Sequence, residues 1–150
     1  MKKYLVLTVA LVLGASFAFA GTLCVPFYRD LAGNFTSDAS PAGFVGIKNT
    51  TDNPILLTFR YNSPEGDDLT PEKRTYRLLA RQGVSFRPVQ TDANAEGPEG
   101  VKIPNANPWG YPVGSLTITW SGGNTDVVGR YTELFTANSA PASYLLPTLQ

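Results

Sequence analysis

The chain reads as an all-β protein, an antiparallel β-sandwich of about eight strands. Three observations predict this. Apolar and polar residues alternate over short runs; Gly, Pro, Asn and Asp punctuate those runs; and helical periodicity is nearly absent. No second domain, internal repeat or low-complexity tract interrupts the pattern.

Ahead of the sandwich stands a segment of another kind. Residues 1–20 open with Lys2 and Lys3, continue as an uncharged apolar run from Tyr4 to Leu13, and end in Ala18-Phe19-Ala20. That is the pattern of a secretory signal peptide, with cleavage expected between Ala20 and Gly21, leaving residues 21–150 as a single domain. The apolar run is shorter than the roughly 20 residues that cross a bilayer, which argues against a retained anchor. Cys24 lies where a lipid-modified cysteine would, but the preceding Leu23 is too large for that processing. The processed chain is expected to have no membrane span and to be secreted, periplasmic or held at a cell surface.

The first strand is expected over Leu23 to Tyr28, the second over Phe44 to Lys48 and the third over Ile55 to Tyr61. In the third, Ile55, Leu57, Phe59 and Tyr61 share one face and Thr58 and Arg60 the other, as a half-buried strand requires. Asn49-Thr50-Thr51-Asp52-Asn53-Pro54 supplies turn chemistry and predicts a hairpin between the second and third. Further strands are expected at 74–79, 84–87, 115–120, 127–134 and 143–146. Ser121-Gly122-Gly123-Asn124 predicts a second hairpin, joining 115–120 to 127–131. The tail from Tyr144 to Gln150 is either the last strand of its own sandwich or a strand given to a neighbour's sheet edge.

Composition closes several function classes. Without Lys2 and Lys3 the 12 basic residues fall to 10 against 12 acidic ones, a formal charge of −2, so no nucleic-acid footprint remains. The chain has no histidine, which removes Ser-His-Asp and Cys-His catalysis and the ordinary zinc site. Glycoside hydrolysis by two carboxylates stays open in principle, but no acid pair is marked out for it. A single cysteine allows no internal disulfide, and the apolar neighbours Leu23 and Val25 predict a buried thiol at Cys24. No enzyme activity and no cofactor are implied.

Two loops break the rhythm of strands. The shorter, Asn62 to Pro71, carries Glu65, Asp67 and Asp68. The longer, Pro88 to Val113, is long enough without structure of its own to suggest a function. Its residues Asp92, Asn94, Glu96 and Glu99 place oxygen ligands of the kind calcium takes around a bend at Gly97. Yet position 12 counted from Asp92 is Ile103, where an EF-hand needs Glu, so a solvated acidic loop is the competing reading. Trp109 and Tyr111, set among Pro and Gly, form either a flat platform for a sugar or protein partner, or a plug over one end of the sandwich. Asn34 and Asn49 stand in Asn-x-Thr sequences but read as turn residues behind a bacterial-type leader. Arg60, Arg77, Arg87 and Arg130 read either as a basic patch on outward strand faces or as isolated arginines that guard edges or pair with carboxylates.

One resemblance adds to this reading. The stretch from Gly43 to Pro88, with Lys48-Asn49-Thr50-Thr51-Asp52, the strand Ile55 to Tyr61, Tyr76-Arg77-Leu78 and Gly83-Val84-Ser85-Phe86-Arg87-Pro88, resembles the first half of exported bacterial immunoglobulin-like domains. The resemblance implies an immunoglobulin-like sandwich of the kind found in surface, adhesive or periplasmic proteins, and no catalytic residue. The expected function is therefore a non-enzymatic structural or interaction module, one that self-associates or binds a protein partner. A carbohydrate-binding module using Trp109 and Tyr111 is the alternative.

Overall fold

A computed structural model describes residues 20–33, 40–106, 111–135 and 142–149. Among the described residues nine strands and one helix follow in order: β1 (Ala20–Arg29), β2 (Pro41–Asn49), β3 (Ile55–Asn62), β4 (Thr75–Leu78), β5 (Gly83–Phe86), α1 (Ala93–Gly100), β6 (Val113–Ser121), β7 (Val127–Phe135), β8 (Ala142–Leu145) and β9 (Thr148–Leu149). They form two antiparallel sheets packed as a sandwich, so the expected fold class holds. Sheet A runs β4-β3-β6-β1, with the two-residue β9 added at the edge of β1; sheet B runs β5-β2-β7-β8.

Alternation puts the core between the sheets. Ile55, Leu57, Phe59 and Tyr61 of β3 are buried, whereas Leu56 between them is 61% exposed. Leu116, Ile118 and Trp120 of β6 and Leu23 and Val25 of β1 add to the same layer, and Val45, Ile47, Phe86 and Tyr131 face them from sheet B. Edge-on ring contacts, Phe59 with Phe86 at 5.7 Å and Tyr28 with Tyr61 at 6.2 Å, join the layer. Burying each such side chain stabilises the fold by about 1.5–3 kcal/mol.

Both expected hairpins are overturned. β2 pairs with β5 and β7 while β3 pairs with β4 and β6, so residues 50–54 cross from one sheet to the other. The link after β6 likewise crosses, because β6 belongs to sheet A and β7 to sheet B. Asn49 explains how a turn-rich segment makes such a crossing. Its fully buried side chain donates to the carbonyls of Asn53 and Leu79 and accepts from Thr51 N and Oγ1, at 2.7 to 2.9 Å. Every hydrogen-bonding capacity of the amide is thus used to lace the two sheets together at one end of the sandwich. Asn34 lies outside the described residues.

The tail belongs to its own sandwich. β8 pairs with β7, Leu146 turns into the core, and β9 pairs with β1, so one short segment passes from sheet B to sheet A. Cys24, expected to be buried, is instead partly exposed, because it points from the face of β1 opposite Leu23 and Val25; burial of part of the thiol still raises its pKa.

Candidate functional site

The long loop after β5 is not structureless as expected. It folds into α1, two short turns kinked at Gly97, whose φ of 70° suits glycine and whose successor Pro98 starts the second turn. Asp92 caps the first turn, its carboxylate accepting from Asn94 N at 3.0 Å and Ala95 N at 3.4 Å. Glu96 reaches back to accept from Asp92 N and also takes Arg87 N at 2.8 Å. Glu99 accepts from Lys102 Nζ at 2.5 Å and from Tyr76 Oη at 3.2 Å. The acidic residues singled out for calcium are thus each engaged by the protein, and among the described residues no three acidic or thiol groups converge as metal ligands. Asn94 is exposed.

What fastens α1 to the sandwich is an ion pair between Arg87 and Asp30, the carboxylate pairing weighed for the arginines, but buried rather than on an outward face. Arg87, expected on an outward face, has no exposed surface. Its guanidinium donates to Asp30 Oδ1 through Nε at 2.8 Å and through Nη2, and to the carbonyl of Ala32. Asp30 Oδ2 accepts from Val89 N at 3.0 Å and Gln90 N at 2.8 Å. Burial pushes the Asp30 and Glu96 carboxyls above their ordinary values, while these bonds pull both back. Arg87 does leave β5 toward the outer side of sheet B, but α1 and the end of β1 cover it. The cluster holds the loop against the sandwich, with both of its carboxylates engaged. Tyr61, fully buried and with its phenol pKa raised by that burial, donates to Pro104 O at 2.6 Å and pins the far side of the loop.

Docked in this way, α1 shapes the outer face of sheet B. Opposed residues in the ladder share a face, which gives rows across it: Gly83, Lys48 and Val128; Ser85, Gly46, Arg130 and Leu145; Phe44, Thr132 and Ser143. Gly46, Gly83 and Ser85 leave the floor low. Phe44, Ala95 of α1 and Leu134 raise one end, and Arg130 and Leu145 raise the other side. The result is an open groove of about 690 Å3. Gly100 lets α1 come this close to β5: a Cβ there would lie 2.2 Å from Ser85 O. Arg130 lies across Gly46, where a Cβ would meet its Cγ at 3.6 Å and Nε at 3.9 Å.

The groove is apolar with two exposed cations, Lys48 and Arg130, and no carboxylate among its lining residues. Beside it runs β8, every residue of which is exposed, with Tyr144 at 42% and Leu145 at 83%. Tyr144 turns toward the sandwich, its ring 5.5 Å from that of Tyr131 and its hydroxyl donating to Phe27 O at 3.1 Å.

Trp109 lies outside the described residues, and Tyr111 is half-buried against the main core. The groove was not foreseen. Its signal in the sequence is Gly46 in the middle of a strand, a residue that weakens a strand unless space above it is wanted. Comparison with protein-family models, curated proteins and solved structures yields no match to this chain.

Proposed function

We propose that this protein is a non-enzymatic, exported structural or interaction module of the bacterial periplasm or cell surface, working through the outer face of sheet B. The observation that carries this reading is the open apolar groove bounded by Arg130 and Leu145 and continuous with the exposed strand β8. An apolar patch rimmed by charge suits a partner surface. Two packed antiparallel sheets, β4-β3-β6-β1 and β5-β2-β7-β8, support a β-sandwich module of this general kind. Signal-peptide chemistry at Lys2, Lys3 and Ala18-Phe19-Ala20 supports export.

The test is site-specific photo-cross-linking in the producing cell. A photoreactive residue at Leu145 should give discrete protein adducts, and one at Leu56, also well exposed but on sheet A, should not. Equal diffuse labelling at both, or none at Leu145, overturns the interaction reading. N-terminal sequencing tests export separately: the processed chain should begin at Gly21, and an intact leader in the cytoplasmic fraction refutes it.

A further inference from the structure

Resting on that reading, we propose that β8 accepts an extended segment of a partner protein as an added strand, and that the segment alternates apolar and acidic residues. The edges of the two sheets are treated differently. β5 is covered by α1, β4 carries the outward Arg77, and β9 is two residues long. Among the described edges longer than two residues, β8 alone is both uncovered and uncharged, reading Ala142-Ser143-Tyr144-Leu145. An edge without a guarding charge, proline or cover is a template for strand addition.

The side-chain pattern of the incoming strand follows from the register. Tyr144 opposes Tyr131 on the inner face, whereas Leu145 opposes Arg130 on the outer face. Residues of an added strand that face inward would meet the exposed part of the Tyr144 ring and should be apolar. Those that face outward would lie beside Leu145, two strand spacings or about 10 Å from the backbone of Arg130. That is within the combined reach of an arginine and a glutamate. Arg130 has no carboxylate partner among the described residues, and Lys48 adds to the same positive field. A second copy of this chain would bring its own uncharged β8 and no acid to Arg130, so charge complementarity favours an acidic partner.

The probe is an acetylated, amidated octapeptide alternating valine and glutamate, titrated into the purified, isotopically labelled chain. Its counterparts are an octapeptide alternating valine and lysine, and laurate. The glutamate peptide should shift the amide resonances of Ser143, Tyr144 and Leu145 and protect from exchange those of Ser143 and Leu145, which point away from β7. Arg130→Glu should weaken it about tenfold and improve the lysine peptide, with Arg130→Gln falling between. Both substitutions are at an exposed side chain, and an unchanged far-ultraviolet spectrum checks the fold. Equal binding of the two peptides, no shift in β8 up to about 1 mM peptide, or laurate binding in the groove without effect on β8 overturns the proposal. So does a free chain that doubles its mass through β8. If Leu145 cross-links to a protein in cells while the glutamate peptide fails, the strand chemistry is wrong and the interaction surface stands; if Leu145 gives no adduct, both fall.

Discussion

Asp30→Asn replaces a single oxygen with an NH2 group and should cost a large share of the stability. The carboxylate takes Arg87 on one oxygen and the amides of Val89 and Gln90 on the other, at 2.8 to 3.0 Å where backbone donates. All the groups facing it are donors. An asparagine there offers one oxygen and one NH2 group. Whichever way the amide turns, donors oppose donors, either at the guanidinium or at the two backbone amides. Arg87, with no exposed surface, also loses the charge that balances it. Removing one partner of a buried pair costs about 3–5 kcal/mol. With a urea slope of about 1.5 kcal/mol/M for a domain of this size, the midpoint should fall by about 2–3 M. Replacing both partners with apolar residues, Asp30→Leu with Arg87→Met, should recover much of that loss, because no charge is then left unpaired. The assay is equilibrium urea unfolding followed by tryptophan fluorescence and far-ultraviolet dichroism together. A midpoint shift below about 0.5 M for Asp30→Asn would refute the reasoning.

Three further outcomes are expected. Gly100→Ala should destabilise by about 1–3 kcal/mol, since its Cβ would stand 2.2 Å from Ser85 O and 2.7 Å from Glu96 Cβ; an unchanged urea midpoint counts against close docking of α1 on β5. Tyr61→Phe should cost about 1–2 kcal/mol by leaving the carbonyl of Pro104 without its donor, read from the same denaturation curves; loss of less than about 0.5 kcal/mol denies the loop anchor. Glu133 is held below the ordinary carboxylate range chiefly by its hydrogen bond from Arg29, whose Nε and Nη2 donate at 2.8 and 2.6 Å. A carboxyl lowered in the folded state contributes stability that is present above its unfolded value and lost as pH falls through its folded one. Because Arg29 is partly exposed, Glu133→Gln should cost no more than about 1 kcal/mol at pH 7, with the difference from the parent vanishing on acidification below the ordinary carboxylate range; a constant difference across that range contradicts the assignment.

Strand positions and burial faces were legible in the sequence because alternation is local. Ile55 to Tyr61 declares both its strand and its inward side, and the structure agrees at every residue of it. Strand partners were not legible. Asn49 to Pro54 and Ser121 to Asn124 carry turn residues that serve a hairpin or a crossing equally, and the choice is made by distant strands competing for β2 and β6. Arg87 was misplaced for a related reason: alternation sends it outward from β5, but outward is covered here by α1, which comes from the next loop. That helix escaped notice because Gly97 and Pro98 break its periodicity, although Asp92 before Ala-Asn-Ala-Glu is a capping signal. The groove depends on where α1 lands against Gly46 and Ser85, a relation between segments that no single stretch contains.

The pairing of β1 has a consequence for how this chain comes to be folded. Leu23 finds its neighbours in Ile118 on one side and Thr148 on the other, and β2 waits likewise for β7. A chain made or passed through a pore from its first residue onward must therefore present most of its length before the central strands can close. Until Leu146 swings from one sheet to the other, the side of the sandwich between β1 and β7 stays unsealed. Such a topology, dominated by non-local pairings, folds slowly, because loop closure must be met before those pairings form.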